Sequence, residues 1–275
     1  MKIAMRSTKR LAVIGNPVNH SLSPKIHKIF AEQLDIEISY EAICLDEDNF
    51  IPTVRRHFAE GYHGFNVTLP FKELAYELAD HLSKDSELCG SVNTLWSDGS
   101  LISADTTDGR GLIEDLRKKS LSIKNKEIVV LGAGGSTRAI IPSLLEASPK
   151  RLSIGNRTIS KAEKLAERFS SIDSNINIFS MSGNLDFQPD LVINTTSAGI
   201  LGQDLELPKN LFNDQTNVYD LSYAPVKTPF LDLAISLGAK NCFDGLGMLI
   251  EQAALSFEIW TNQKPNTSID KKLIL

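Results

Sequence analysis

Short apolar runs rich in β-branched residues alternate along the chain with longer segments whose apolar residues recur every three to four positions. Arg10–Ile14 reads as a strand, Ser23–Leu34 as a helix and Ser39–Cys44 as a second strand. Asp48–Ala59 reads as a helix, Gly64–Val67 as a strand and Pro70–Leu82 as a helix. Alternation of this kind predicts a parallel, doubly wound α/β layer. Val92–Trp96 and Leu101–Ala104 break it, because they flank Ser97-Asp98-Gly99-Ser100, where Asp-Gly is a hairpin turn signal. The hairpin closes a first lobe. A helix over Asp108–Lys118 leads into a second series: strand Glu127–Leu131, helix Ser136–Ala147, strand Arg151–Ile154 and helix Ser160–Phe169. Strands Asp190–Ile193 and Val218–Leu221, then helices Pro229–Leu237 and Gly247–Trp260, complete it, and the tail from Gln263 reads as loosely ordered.

A chain of 275 residues holds one large or two medium domains, and the restart favours two. With 42% hydrophobic and 23% charged residues the composition is that of an ordinary globular protein. A net charge of −5 argues against a nucleic-acid partner, which would favour a basic face. No apolar run approaches the roughly 18–20 residues needed to cross a bilayer. Met1–Arg10 is basic, but Leu11-Ala12-Val13-Ile14 is too short for a signal-peptide core, so a cytoplasmic protein is expected. Cys44, Cys89 and Cys242 are too scattered for a disulfide framework or a metal site. His20, His27, His57, His63 and His81 form no ligand motif, and no metal is assigned.

Ile128-Val129-Val130-Leu131 runs through Gly132-Ala133-Gly134-Gly135 into Ser136-Thr137-Arg138-Ala139, the order strand, glycine turn, helix that binds dinucleotides. Gly132 permits the tight turn, Gly134 lets a pyrophosphate approach the backbone, and free amides at the helix start favour the anion. The third position of Gly-x-Gly-x-x-Gly is Thr137, which predicts slightly wider helix–strand packing. The next strand selects the nucleotide. An acidic residue at its tip would accept from a ribose 2′-hydroxyl, but this strand ends in Gly155-Asn156-Arg157-Thr158, with Lys161 one turn on. Arg157 can pair with a 2′-phosphate through charge-assisted bonds, so NADP(H) is the expected cofactor.

Asn66-Val67-Thr68-Leu69-Pro70-Phe71-Lys72 places a lysine just past an apolar turn. Pro70 suits the first position of a helix, which puts Lys72 in the first turn, the end where the helix dipole disfavours a cation. Asp108, readable as a helix N-cap, is a candidate partner if the fold closes it against Lys72. Lysine, carboxylate and nucleotide loop point to proton transfer beside hydride transfer, and so to an oxidoreductase. An exposed lysine and a simple capping aspartate are the bland alternative. In Asn19-His20-Ser21-Leu22-Ser23-Pro24, Ser23 either caps the following helix or joins Ser21 in holding an anionic substrate group. Met248, Gln252, Leu255 and Ile259 fall on one helix face, where the amide needs a buried partner, either a polyhydroxylated ligand or a backbone carbonyl.

Together the motifs resemble the shikimate dehydrogenase family over nearly the whole chain to about Trp260. The carrying segments are Ile14-Gly15-Asn16-Pro17, Ser21-Leu22-Ser23-Pro24, Gly64 to Lys72, Val92-Asn93-Thr94 and Thr107-Asp108-Gly109. The glycine loop, Asn156-Arg157-Thr158, Asn194-Thr195-Thr196-Ser197-Ala198-Gly199 and Asp244-Gly245-Leu246-Gly247-Met248 through Gln252-Ala253-Ala254 complete them. The resemblance implies two doubly wound α/β domains: residues 1–107 with 245–275 for substrate, and 108–244 as a Rossmann-type NADP-binding domain. The C-terminal helices would pack back on the first domain and the substrate would lie in the cleft between the two.

The implied reaction is NADPH-dependent reduction of 3-dehydroshikimate to shikimate in aromatic amino-acid (chorismate) biosynthesis, by a monomer or homodimer. By that similarity Lys72 and Asp108 form the catalytic pair, and Ser21 and Ser23 bind the substrate carboxylate. Asn66, Thr68, Asn93 and Gln252 would bind ring hydroxyls, and Tyr223 matches a substrate-side tyrosine. Gly132, Ala133, Gly134, Gly135, Ser136, Thr196 and Gly245 would contact the cofactor, with Asn156, Arg157 and Thr158 facing the adenosine phosphate and Met248 near the nicotinamide. One departure stands beside the pair: the family usually reads Gly-x-Asn-Thr-Asp-Gly where this chain has Ala104-Asp105-Thr106-Thr107-Asp108-Gly109. Two other functions fit the same motifs. A broader quinate/shikimate dehydrogenase, often using NAD, is disfavoured by the missing carboxylate beside Arg157. A non-catalytic relative binding nucleotide or shikimate-type ligands for regulation is disfavoured by the presence of both Lys72 and Asp108.

Overall fold

The structure, a computed structural model, describes residues 8–173, 175–196 and 206–275. The chain divides into two compact units, Met1–Gly111 with Leu249–Leu275, and Leu112–Met248.

The first unit contains β1 (Lys9–Gly15), α1 (Ser23–Leu34), β2 (Ile38–Cys44), α2 (Phe50–Ala59), β3 (Tyr62–Val67), α3 (Lys72–Leu78), β4 (His81–Leu82), α4 (Lys84–Cys89), β5 (Thr94–Ser97) and β6 (Ile102–Asp105). They build a six-stranded sheet in the order β2-β1-β3-β5-β6-β4. The β5–β6 hairpin forms at the Asp98-Gly99 turn and runs antiparallel, so this sheet is mixed rather than wholly parallel. Ala12, Ile14, Phe50, Phe65, Val67 and Phe71 meet in its core. Burying each large apolar side chain contributes about 1.5–3 kcal/mol.

The helix expected over Pro70–Leu82 occupies only Lys72–Leu78. Phe71 is the N-cap, so Pro70 lies outside the helix. At the other end Ala79 is extended, and Asp80 bonds Ile102 twice, N–H to carbonyl and carboxylate to N–H, both at 2.8 Å. Pairing of β4 with β6 takes the residues that would otherwise prolong the helix. Ser83 then starts α4, its Oγ accepting from the Ser86 amide at 3.2 Å. The tail is docked rather than loose. Lys25 Nζ donates to the Ile274 carbonyl at 2.8 Å, the Asn266 amide to Gln33 Oε1 at 3.0 Å, and Ile274 is fully buried.

Helix α5 (Asp108–Lys118) carries the chain into the second unit. There β7 (Glu127–Leu131), α6 (Gly135–Glu146), β8 (Arg151–Asn156), α7 (Ile159–Arg168), β9 (Asn177–Ser180), β10 (Leu191–Asn194), β11 (Asn217–Asp220), α8 (Pro229–Ser236) and β12 (Asn241–Asp244) follow. The last helix, α9 (Leu246–Thr261), begins in this unit and ends in the first. The second sheet is parallel throughout, in the order β12-β11-β10-β7-β8-β9. Counting from β7, that is the 3-2-1-4-5-6 order of dinucleotide-binding sheets, whose switch point lies between β7 and β10. Strands β7 and β10 are buried on both faces, hence their unbroken apolar runs. Strands β9 and β12 escape the pattern because they are short sheet edges carrying Asn177, Ser180, Asn241 and Asp244. Among the described residues no helix is long and apolar enough to cross a membrane.

Candidate active site

Lys72 is the first residue of α3 and Asp108 the first of α5, and the fold joins them as an ion pair, Lys72 Nζ to Asp108 Oδ2. Their side chains are only 14% and 10% exposed, so the pair is sheltered while remaining reachable. The carboxylate sits at a helix start, the end that favours a negative charge. Its other oxygen accepts from Asn93 Nδ2 at 2.9 Å. That amide also faces Gln252 Oε1 at 3.0 Å and Thr107 Oγ1 at 2.8 Å, while Asn93 Oδ1 accepts from the Thr107 amide at 2.9 Å. Gln252 Nε2 donates to the Leu249 carbonyl at 2.9 Å. Gly111 makes this assembly possible. A Cβ there would lie 2.8 Å from the Gln252 backbone nitrogen, so only glycine lets α5 and α9 approach this closely.

Asn66 extends the network. Its Oδ1 accepts from the Tyr40 hydroxyl at 2.7 Å and lies 3.1 Å from His27 Nε2, while Nδ2 donates to the Asn93 carbonyl at 3.2 Å and to Ser256 Oγ at 2.9 Å. Ser21 and Ser23 stand at the start of α1, but the capping roles differ from the expected ones. Helix α1 begins at Ser23 itself, and Ser21 Oγ accepts from the Ser23 amide at 3.2 Å. The Ser23 side chain instead partners the Tyr40 phenol, whose pKa burial pushes well above the ordinary value. Thr68 is half-buried on the turn before α3, its amide donating to the Ile14 carbonyl at 2.9 Å. The residues of this network that sequence reasoning missed are Ser256, Thr107, His27 and Tyr40. Spacing held part of the signal, since Ser256 lies four residues after Gln252 and His27 four after Ser23.

Thr106, the departure beside Asp108, makes no hydrogen bond to it. Thr106 is 3% exposed and its Oγ1 has no hydrogen-bond partner among the described residues, while its backbone bonds Asp105 and Arg110. An unpaired buried hydroxyl destabilises by about 1–3 kcal/mol. Thr106→Val is therefore expected to leave turnover within about threefold and to hold or raise Tm. A tenfold fall in kcat would place the hydroxyl in the chemistry instead.

His27 packs against Phe30, Tyr40, Phe257 and Trp260, with no charged side chain among them. Burial lowers its pKa from 6.5 to about 3, against the opposing hydrogen bond to Asn66. Between those values the unfolded chain takes up a proton that the folded chain refuses. Stability is thus intact above pH 6.5 and lost as pH falls toward 3, by at most about 1.4 kcal/mol per pH unit. His27→Gln, which keeps an amide donor and cannot protonate, is expected to flatten the acid limb of Tm against pH relative to the parent. An identical acid limb would contradict this.

In the second unit the glycine loop occupies the switch point. Gly132 has φ +107°, and a Cβ there would lie 2.5 Å from Thr195 Oγ1, so the turn and the close approach of the two strand ends both require glycine. Thr137 is fully buried, and its Oγ1 donates to the Gly132 carbonyl at 3.0 Å and pairs with Thr195 Oγ1 at 2.7 Å. The larger residue thus ties helix to strand by hydrogen bonds. Helix α6 has Gly134 as N-cap with no side-chain cap, and among the described residues a Cβ at Gly134 or Gly135 would meet nothing within 4 Å. Ala133 and Ser136 flank them, half-buried. Open space over uncapped amides is what a pyrophosphate needs.

At the end of β8, Asn156 Nδ2 donates to the Thr158 carbonyl at 2.8 Å, which shapes the turn carrying Arg157. Arg157 and Thr158 are exposed, and among the described residues Arg157 has no ion-pair partner. These donors fit a dinucleotide bearing a 2′-phosphate. Thr196 is held by Asn194, whose Oδ1 accepts from its amide at 3.1 Å and its hydroxyl at 2.8 Å. Asn194 in turn donates to Asp220 at 3.0 Å, and burial raises the pKa of that carboxyl. Tyr223 lies half-buried in the loop after β11, Gly245 donates its amide to the Ser222 carbonyl at 3.0 Å, and Met248 is buried in the first turn of α9. Ser197-Ala198-Gly199 lie outside the described residues.

Comparison with known proteins gives matches along the chain. Residues 13–95 match the family described as "Shikimate dehydrogenase substrate binding domain", residues 115–208 "Shikimate / quinate 5-dehydrogenase", and residues 245–275 "Shikimate 5'-dehydrogenase C-terminal domain". A protein of Vibrio atlanticus named shikimate dehydrogenase (NADP(+)) is 44% identical over 94% of this chain and 93% of its own. One of the same name from Legionella pneumophila is 45% identical over 94% and 96%. The crystal structure of Thermus thermophilus shikimate 5-dehydrogenase in complex with NADP(H) and shikimate superposes with a TM-score of 0.85 at 33% identity, covering 95% of this chain and 96% of that one.

Proposed function

The chain belongs to the shikimate dehydrogenase family, and from that premise we propose that it reduces 3-dehydroshikimate to shikimate with NADPH, in the biosynthesis of aromatic amino acids. The observation that carries the reading is the sheltered Lys72–Asp108 pair, braced by Asn93 at the carboxylate and by Gln252 behind it. NADPH, when bound, supplies the hydride that adds to the carbonyl carbon. The chain's task is the proton. Lys72 Nζ, an N–H donor at the mouth of α3, delivers it to the carbonyl oxygen as negative charge develops there. Asp108 holds the ammonium in place and, through Asn93, is itself held against rotation. Ser21 and Ser23 at the start of α1 are suited to a carboxylate, and Asn66, Thr68, Asn93 and Gln252 to ring hydroxyls. Arg157 with Asn156 and Thr158 supports preference for the 2′-phosphate.

The reading extends to a cytoplasmic enzyme, monomer or homodimer, acting on a small molecule without nucleic-acid or membrane partners. Steady-state assays of the purified chain on 3-dehydroshikimate, shikimate and quinate, each with both nicotinamide cofactors, test it. NADPH-linked turnover of dehydroshikimate with poor quinate oxidation is expected. Comparable quinate activity with NAD would replace this reading by the broader dehydrogenase, and no turnover by a ligand-binding relative.

A further inference from the structure

Two polar aromatic residues that take no part in the proton transfer converge on a single atom. Asn66 Oδ1 accepts from the Tyr40 hydroxyl at 2.7 Å and from His27 Nε2 at 3.1 Å. The orientation of the amide follows from its other end, which faces the Asn93 carbonyl at 3.2 Å, a group that can only accept. The atom there is therefore Nδ2, the atom facing His27 is oxygen, and His27 is the neutral tautomer with its proton on Nε2. His27 is fully buried and its Nδ1 has no hydrogen-bond partner among the described residues. The ring lies flat on Tyr40, centroids 4.4 Å apart and planes 10° apart, so neither ring can turn without the other.

Both lone pairs of Oδ1 are thus occupied, and Asn66 can offer a ligand only an N–H. The acceptor already on that N–H is Ser256 Oγ at 2.9 Å, and Ser256 has other partners, Thr94 Oγ1 at 2.7 Å and the Gln252 carbonyl at 3.1 Å. It can release Nδ2 and remain satisfied. A flip of the amide, in contrast, would set its NH2 against two donors and its oxygen against a carbonyl.

We infer that His27 and Tyr40 are positioning residues, a paired-donor clamp that locks Asn66 as a hydrogen-bond donor to a ring hydroxyl of the substrate, with Ser256 Oγ holding that place until the hydroxyl arrives. The inference rests on the functional reading above. Either donor alone suffices to keep the oxygen facing it, so the clamp is redundant, and redundancy leaves a signature. His27→Phe and Tyr40→Phe, which keep the stacked rings, are each expected to raise KM for dehydroshikimate by no more than about threefold. The double variant is expected to raise it by about thirtyfold or more, beyond the product of the singles, with kcat and KM for NADPH within about threefold of the parent. His27→Gln, which restores an N–H donor, is expected to recover the single-variant KM when it replaces Phe in the double. In an Asn66→Ala background His27→Phe, which among the described residues has no tie to the carboxylate-side serines, is expected to change nothing further.

Thermal unfolding identifies the folded variants, and His27→Leu substitutes for His27→Phe should the latter not fold. A folded double variant with parental KM overturns the clamp, as does a KM rise from His27→Phe in the Asn66→Ala background. A loss shared by kcat and Tm that Gln does not rescue shows a merely structural role and overturns it too. Failure of the parent chain to reduce dehydroshikimate with NADPH overturns the functional reading and the clamp together. A parent that turns over, with Asn66→Ala raising KM and the double variant silent, overturns the clamp alone.

Discussion

Lys72→Ala is expected to lower kcat for dehydroshikimate by about 10²–10⁴-fold, the usual contribution of a positioned acid, while leaving KM for NADPH nearly unchanged. The first half follows from the pair's geometry. Lys72 Nζ is the only cation that the ion pairs of the described residues place on Asp108, and the buried amides behind it, Asn93 and Gln252, have no proton they can give up at neutral pH. The second half follows from the chain's division, since the glycine loop and Arg157 belong to the unit Leu112–Met248 and Lys72 does not. Removing the cation also leaves the sheltered Asp108 carboxylate, among the described residues, with only its hydrogen bond from Asn93, so a lower Tm should accompany the loss. Tryptophan or NADPH fluorescence titration separates the two effects, because a folded variant still binds cofactor. Lys72→Ala combined with Asp108→Asn should be little worse than Lys72→Ala alone, as expected of residues that act as a unit. Near-normal turnover would remove Lys72 from the proton step, and a pure KM rise would make it a binding group.

The reach of sequence reasoning here has a physical boundary. Core strands such as Glu127–Leu131 and Leu191–Asn194 are buried on both faces and announce themselves as apolar runs, and the order of strand, glycine turn and helix is a local property. Short edge strands are not, because Asn177–Ser180 and Asn241–Asp244 owe their extension to a neighbour's backbone and their side chains to solvent. The same distinction separates the ends of Pro70–Leu82. Its helical pattern is real as far as Leu78, and what stops it is Ile102, distant in sequence, which accepts from the Asp80 amide and donates to its carboxylate. The tail failed for the same reason. Gln263-Lys264-Pro265-Asn266 has the composition of a loop, and its docking is set by partners distant in sequence: Gln33 accepts from the Asn266 amide, and Lys25 donates to Ile274 further along the tail.

In the site, Lys72, Asp108, Ser21 and Ser23 stand out in sequence as polar groups at helix starts, though their residues alone leave an exposed lysine and simple caps open, and the resemblance supplies their roles. Asn93 and Gln252 are named in sequence by resemblance, but their contact with each other, and the close approach of α5 to α9 at Gly111, are properties of the fold. Ser256, His27 and Tyr40 are chemically ordinary in sequence, and their part in the network is fixed entirely by which side chain lies across from them.

Arg157→Ala is expected to weaken NADPH by about 10- to 150-fold while changing NADH by less than about threefold. Each charge-assisted hydrogen bond to a phosphate contributes about 1.5–3 kcal/mol, and 1.4 kcal/mol is a factor of ten in affinity. The size of the effect depends on whether Arg157 spends its binding energy elsewhere in the free protein. It does not: the side chain is exposed, and among the described residues no carboxylate pairs with it, so a phosphate has no existing bond to displace. Its exposure also means that salt screens the contact, so the difference between the cofactors should shrink as ionic strength rises. Arg157→Lys tests geometry against charge. A lysine retains the attraction but loses the planar fork that meets two phosphate oxygens at once, so an intermediate loss is expected. The turn held by Asn156 and Thr158 should survive both changes, because its hydrogen bond runs from the Asn156 amide to the Thr158 carbonyl and does not involve residue 157's side chain. Equal weakening of NADPH and NADH by Arg157→Ala would show that the residue supports the loop rather than reading the phosphate, and cofactor choice would then have to be sought in Thr158 or Lys161.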